Sequence, residues 1–320
     1  RQHDRYIAYG GNLEVGVVDR PWAKRLLLRG FASAQDQEVQ SNLTMTIPDG
    51  ELKKKSDIYG TTLRYVVALR SNIDLEFVGN YSRTTTNFID KADWVYDWYG
   101  RRNRSRSFGG ETNAMRKLDT LTWETSVYAR PSLAWTITPQ QILRVASTLS
   151  STAITGDERI MRDSRSRDPA TAKRDLFTVV SGLEYELNLI EDRLSNILFG
   201  KDYLYQVDSE EPPLSLLDRW GMSEIDRHRL GAGDALRFRV TPWLDAKASY
   251  EYATRLPSPE ELFGDVVGNN ALESTFGAGG SMSVPNLELD PEVSHNGNLG
   301  FRAQLERTPT GNLTIESNAF

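Results

Sequence analysis

The 320-residue sequence contains no cysteine, which excludes disulfide frameworks, cysteine nucleophiles and thiolate metal sites. It has only three histidines, His3, His228 and His295, and none has a metal-like partner at helical or short-turn spacing. No metal site and no cofactor is therefore expected. Phosphate-cradling loops, nucleophile elbows, zinc-protease motifs and calcium loops are all missing. No catalytic residue is expected, and the chain does not read as an enzyme. No apolar run approaches the roughly 18 residues of a membrane-spanning helix. The net charge of −6 is spread without a basic stripe, which argues against nucleic acid as a partner. Acidic pairs such as Glu210-Glu211 are expected to be solvated in loops.

The sequence has long period-two alternation in place of these features. Tyr59, Leu63, Tyr65, Val67 and Leu69 alternate with Gly60, Thr62, Arg64, Ala68 and Arg70. Leu121, Trp123, Val127, Ala129, Leu133, Trp135 and Ile137 alternate with Thr122, Glu124, Ser126, Arg130, Ser132 and Thr136. The same pattern covers 73–82, 244–252 and 298–306. It fits a soluble antiparallel sheet with one wet face, or a barrel with lipid outside and water inside. Length separates the two. The segments run roughly 12–17 residues, against about 5–6 for soluble strands, and about 9–11 suffice to cross a bilayer. A hydrophobic content of only 39% suits such a barrel, because only every second strand residue must face lipid. Leu26-Leu27-Leu28 breaks the pattern, and the strand around Ile197 is mixed.

Short turns with Pro, Asn, Asp or Gly chemistry fall at Asp19-Arg20-Pro21, Arg70-Ser71-Asn72, Thr138-Pro139-Gln140, Ile190-Glu191-Asp192, Thr241-Pro242 and 308–312. Long polar stretches lie between them, near 34–57, 87–117, 153–174, 208–227 and 256–292. This strict alternation predicts short periplasmic turns, long extracellular loops and about twelve strands. Trp22, Trp135 and Trp243 lie at or beside short turns, as an interfacial aromatic girdle requires. The expected fold is an all-β antiparallel transmembrane β-barrel.

One segment is more specific. It reads Arg255-Leu256-Pro257-Ser258-Pro259-Glu260-Glu261-Leu262-Phe263-Gly264, and after a Gly- and Asn-rich stretch Pro285-Asn286-Leu287-Glu288-Leu289-Asp290-Pro291-Glu292-Val293-Ser294. Ser258 can cap a helical turn with Pro259 at its first position and Glu261 three residues after the cap. Leu262 and Phe263 can pack, and Gly264 can end the turn. Pairing should resume after Pro291, with Glu292, Ser294 and Asn296 facing the lumen and His295 facing lipid. The motif resembles the barrel signature of TonB-dependent outer-membrane receptors.

That resemblance implies a plugged barrel of about 22 strands, of which residues 1–320 form a part. It implies a bacterial outer-membrane location and TonB-driven import of a scarce solute, an iron–siderophore among the candidates. The plug domain, the TonB-engaging box and the remaining strands are expected outside this chain, truncated at both ends. Partners so implied are outer-membrane lipid, the plug, the TonB complex through the plug, and a small-molecule or metal-chelate ligand. The alternatives are a passive porin or a barrel-shaped surface adhesin, and a soluble secreted β-rich binding module. Arg255, Pro257, Glu261, Leu262, Phe263, Pro285, Asn286, Leu287, Pro291, Glu292 and Ser294 are expected to shape the barrel mouth rather than to bind ligand. A second set, Trp94, Tyr96, Trp98, Tyr99, Arg101 and Arg102, places aromatics beside arginines, which suits an anionic, partly aromatic ligand.

Overall fold

The computed structural model describes residues 3–41, 45, 47–106, 108–112, 117–160, 169–190, 193–211, 221–263, 286–308 and 311–319. Among them, twelve long strands form one sheet: β1 (Tyr6–Arg20), β2 (Ala23–Glu38), β3 (Lys53–Arg70), β4 (Ile73–Asp90), β7 (Leu118–Thr138), β8 (Gln141–Glu158), β9 (Arg174–Leu189), β10 (Leu194–Glu211), β11 (Gly221–Thr241), β12 (Leu244–Arg255), β13 (Glu292–Thr308) and β14 (Gly311–Ala319). Strands β5 (Trp94–Tyr96) and β6 (Arg102–Ser105) pair separately in the loop after β4. A 3-10 turn, η1 (Pro169–Thr171), and one helical turn, α1 (Pro259–Phe263), complete the elements.

Each sheet strand pairs antiparallel with its neighbour in sequence, so the sheet is a meander from β1 to β14. β1 and β14 each have one partner among the described residues. β7 and β11 reach 21 residues. At about 3.3 Å per residue and a tilt near 40°, such a strand rises about 50 Å, well past a hydrocarbon layer of about 30 Å. The excess lies on the loop side, because four of the six expected short turns fall where turn chemistry placed them, at Pro21-Trp22, Ser71-Asn72, Pro139-Gln140 and Pro242-Trp243, while Glu191, Asp192, Pro309 and Thr310 of the other two lie outside the described residues. Three of these carry a register shift of one residue just before the turn, between Ala68 and Arg70, Thr136 and Thr138, and Arg239 and Thr241. The extra residue lets a tight turn follow the right-handed strand twist.

The cross-strand register sorts side chains onto two faces. Leu75 opposes Leu133, Leu133 opposes Val145, and Val145 opposes Leu183. This face carries apolar groups with nothing over them, for example Leu13 at 70% and Leu299 at 68% exposed. In water such a surface would aggregate; in a bilayer it is solvated. The opposite face carries ion pairs: Arg64–Glu76 at 2.8 Å, Arg144–Glu186 at 2.7 Å, Lys201–Glu251 at 2.6 Å and Lys247–Glu316 at 2.6 Å. It is the lumen wall. Leu26 and Leu28 face outward and only Leu27 faces inward, over the backbone of Gly16, so the triple leucine leaves the alternation intact. The mixed strand β10 has Asn196 and Asp202 on the outer face, where Asn196 bonds Asp234 and Asp202 pairs with His228.

Two expectations need correction. β10 and β11 run into the stretch expected to be a loop, so only 212–220 separates them. Glu210 is accordingly a strand residue opposite Met222, and its carboxylate accepts the Lys173 amide at 2.9 Å. Strand pairing extends above the bilayer, where polar side chains on both faces hide it from an alternation search.

Candidate functional site

Two loop-side assemblies account for the residues singled out by sequence. The first joins the end of β12 to the start of β13. Ser258 and Glu261 form a reciprocal capping box: the Ser258 amide donates to Glu261 Oε2 at 2.9 Å, and the Glu261 amide donates to Ser258 Oγ at 3.3 Å. This satisfies amide groups that the first helical turn would leave open. Arg255 closes the loop. Its Nη1 and Nη2 donate to Glu261 at 3.0 and 2.8 Å, and its Nε and Nη2 to Glu292 at 2.9 and 3.1 Å. A planar guanidinium can serve two carboxylates at once. Arg255 first, and then the Ser258 amide, hold the Glu261 carboxyl down at about 2.

The turn directs Leu262 and Phe263 into a buried cluster with Ile154, Leu176, Tyr205 and Val207, against which Leu256, Leu287 and Leu289 pack. Tyr205 donates its hydroxyl to the Leu289 carbonyl at 2.9 Å, and the Asn286 amide donates to Leu262 O at 3.0 Å. Pro257 and Pro291 are buried at its edge. Of the eleven motif residues all but Pro285, which lies outside the described residues as does Gly264, are in this clasp or the strand leaving it. Register places Glu292, Ser294 and Asn296 on the lumen face, and His295 on the outer face, where its Nδ1 meets the Tyr250 hydroxyl at 2.8 Å.

The second assembly joins the loop after β2 to the loop after β4. Asp90, fully buried at the top of β4, accepts the amides of Glu111 at 2.6 Å and Thr112 at 2.7 Å and the Thr112 hydroxyl at 2.6 Å. Gly110 is required here, because a Cβ would lie 2.2 Å from Asp90 Oδ1. Glu111 in turn accepts the amides of Gly50 at 2.6 Å and Glu51 at 2.9 Å. Burial raises the Glu111 carboxyl above its ordinary range despite those two amides. Tyr96 lies against Gly50 and donates its hydroxyl to Glu51. Arg106 donates to the carbonyls of Gly110 at 2.6 Å and Trp94 at 3.1 Å. Two loops far apart in sequence are thereby fixed to one another.

The aromatic and arginine set sits on the hairpin of this assembly. Arg102 stacks on Trp94 with 5.3 Å to the ring centre, and Arg101 on Tyr99 with 4.9 Å. Arg101 also pairs with Asp97 at 3.0 Å. Asp97 accepts the amides of Tyr99 and Arg101, both at 2.9 Å, and Gly100 supplies the positive φ of 73° that closes the turn. Arg102 and Trp94 thus pack on one another within the hairpin and Tyr96 rests on Gly50, while Trp98 and Tyr99 are 50% and 72% exposed. Sequence reasoning missed Asp90 and Glu111, since nothing local marks a carboxylate whose partners are backbone amides about 20 and about 60 residues away, and it missed Asp49, whose burial depends on the same joint.

A tall antiparallel sheet with an apolar outer face, a charged inner face, tight turns at one end and built loops at the other defines a transmembrane β-barrel wall of the outer-membrane kind. The comparisons with known proteins agree with that class. Residues 226–320 match the TonB dependent receptor-like β-barrel family, a non-enzymatic transporter family of the bacterial outer membrane. Three solved structures share the fold. The copper transporter OprC is 11% identical with a TM-score of 0.65 over 99% of this chain and 48% of that one. The siderophore receptor PiuA from Acinetobacter baumannii is 11% identical with a TM-score of 0.63 over 98% and 49%. The ferric-catecholate import receptor Fiu from K12 E. coli is 12% identical with a TM-score of 0.58 over 99% and 51%. The chain therefore spans about half the length of the receptors it matches. No curated protein matches the sequence.

Proposed function

We propose that this chain forms part of the wall and loop crown of a receptor that imports a scarce solute, foremost an iron–siderophore or similar metal chelate, across the outer membrane with energy from TonB. The observation that carries the reading is the two-faced sheet whose C-terminal third matches the TonB-dependent receptor-like barrel family. Solved structures described as siderophore and copper carriers share its fold, which supports the solute class. On this reading further strands close the wall, since an open edge is not viable in lipid. A plug domain outside residues 1–320 occupies the lumen and engages the TonB complex. Trp98 and Tyr99, the exposed tip of the hairpin, make the first ligand contact, while Arg101 and Arg102 keep that tip in shape. Arg255–Phe263 and Asn286–Glu292 clasp the mouth and do not bind ligand.

The test is uptake by cells carrying the full-length gene as their only receptor of this kind. Iron-limited growth on a supplied siderophore panel, or accumulation of a labelled chelate, should stop when TonB is deleted or the proton gradient is collapsed. Flux that survives both treatments would instead establish a passive porin, and surface attachment without flux an adhesin.

A further inference from the structure

Between the first residues of the chain, the loop after β2 and the β5–β6 hairpin lies a cavity of about 220 Å³. His3, Glu38, Asp49, Tyr96, Asp97 and Trp98 are among its lining residues, and no lysine or arginine is. Most of its polar groups are engaged. His3 Nε2 lies 2.6 Å from Leu52 O, Asp97 holds Arg101, and Glu38 has Arg5 and Lys53 at 3.9 Å. Asp49 differs. It is 5% exposed, and its Oδ2 has no hydrogen-bond partner among the described residues. Burial first, and then the charges of Glu111 and Asp90, lift its carboxyl to about 7 against the opposing pull of Arg106. Arg106 is itself tied to Gly110 O and Trp94 O. A buried acid oxygen without a donor is rare in folded proteins and calls for an explanation, and the two-loop joint is already held by Asp90 and Glu111.

We propose that this cavity is a binding site for the cationic group of a small molecule, a primary ammonium or a guanidinium, with Asp49 as its counter-charge and Tyr96 and Trp98 as its aromatic wall. A cation over an aromatic face beside a carboxylate gains from both. No group of three or more His, Cys, Asp or Glu among the described residues is arranged to hold a metal ion, so the cation is molecular. The volume equals about seven waters at ~30 Å³ each, room for a cationic end group and a few carbons but not for a whole chelate. Binding needs ionised Asp49, so the ligand displaces a proton wherever that carboxyl is still protonated. This site stands whether or not the barrel transports, because equilibrium binding reads it directly.

The full-length protein, purified in detergent, is titrated calorimetrically with methylguanidinium and ethylammonium, and with neutral acetamide as the control. Measurements at pH 6 and pH 8, in two buffers of different ionisation enthalpy, count the protons. A carboxyl near 7 makes affinity about tenfold higher at pH 8 than at pH 6, with roughly one proton released at the lower pH. Asp49→Asn should weaken cation binding at least tenfold and remove the pH dependence. Trp98→Ala, at an exposed position that leaves the loop joint intact, should weaken binding several-fold and keep the pH dependence. Equal binding of acetamide, no saturable cation binding up to about 100 mM, or an Asp49→Asn protein with unchanged affinity and pH slope would each overturn the proposal.

Discussion

Replacing Phe263 with alanine separates a clasp from a ligand contact at the family motif. Phe263 is 1% exposed and packs with Leu262, Tyr205, Val207, Leu176 and Ile154. Truncation removes the whole ring from contact, for which buried Phe→Ala changes cost about 3–5 kcal/mol. The site lies at the loop end of the wall, so the loop can settle into part of the void and the lower end applies, about 3 kcal/mol. The membrane-spanning part of the wall does not depend on this cluster, so the loss is local. Opening of 256–263 and 286–291 should become easier by roughly two powers of ten, at about 1.4 kcal/mol per factor of ten. Hydrogen exchange followed by mass spectrometry on the protein in micelles reads this directly. Peptides covering 90–112 act as the internal control, since the second assembly shares no residue with the cluster. Acceleration below about threefold, or equal acceleration in 90–112 and in the periplasmic hairpins, would refute an independent clasp.

Other substitutions bear on the remaining parts. Asp90→Asn removes one charge-assisted acceptor and turns an amide donor toward the Glu111 or Thr112 N–H, a local loss of about 2–3 kcal/mol; hydrogen exchange at Glu111 and Thr112 should rise at least tenfold, and Gly110→Ala should match it through its collision with Asp90. Asp49 sits near 7 in the folded joint against an ordinary value of 3.8, so its contribution is intact below the ordinary value and is lost as pH rises through about 7; protease nicking of the loop after β2 should increase between pH 5 and pH 8 and lose that dependence in Asp49→Asn. Glu261 is shifted the other way, to about 2, so the capping box should hold at pH 4 and fail only near 2, whereas Glu261→Gln should loosen 256–263 at neutral pH by the same exchange measurement. On the wall, Leu183→Arg places a charge on the outer face and should reduce folding into lipid vesicles by about 2–4 kcal/mol, while Ser150→Arg on the lumen face should change it little.

The division between what sequence revealed and what it concealed follows from the range of the interactions. The wall was legible because a strand crossing lipid must sort its side chains every second residue, so Leu121 to Ile137 carries its own evidence without reference to any partner. The turns were legible for the same local reason, as were the capping box of Ser258 and Glu261 and the burial of Leu262 and Phe263. The loop crown was not. Trp94 to Tyr96 and Arg102 to Ser105 form a hairpin too short to show a period, and nothing local marks Tyr96 as resting on Gly50. Asp90, Glu111 and Asp49 owe their positions to amides and charges brought together only after the wall has fixed where β2, β3 and β4 end. Loop sequence is therefore constrained by joints as well as by ligand. Its polar residues divide into those whose hydrogen-bonding capacity the fold consumes, as at Asp90 and Glu111, and those left with capacity to spare. Asp49 belongs to the second group, and a carboxyl kept near neutrality at a loop-side cavity is where solute chemistry has the most to gain from an otherwise structural crown.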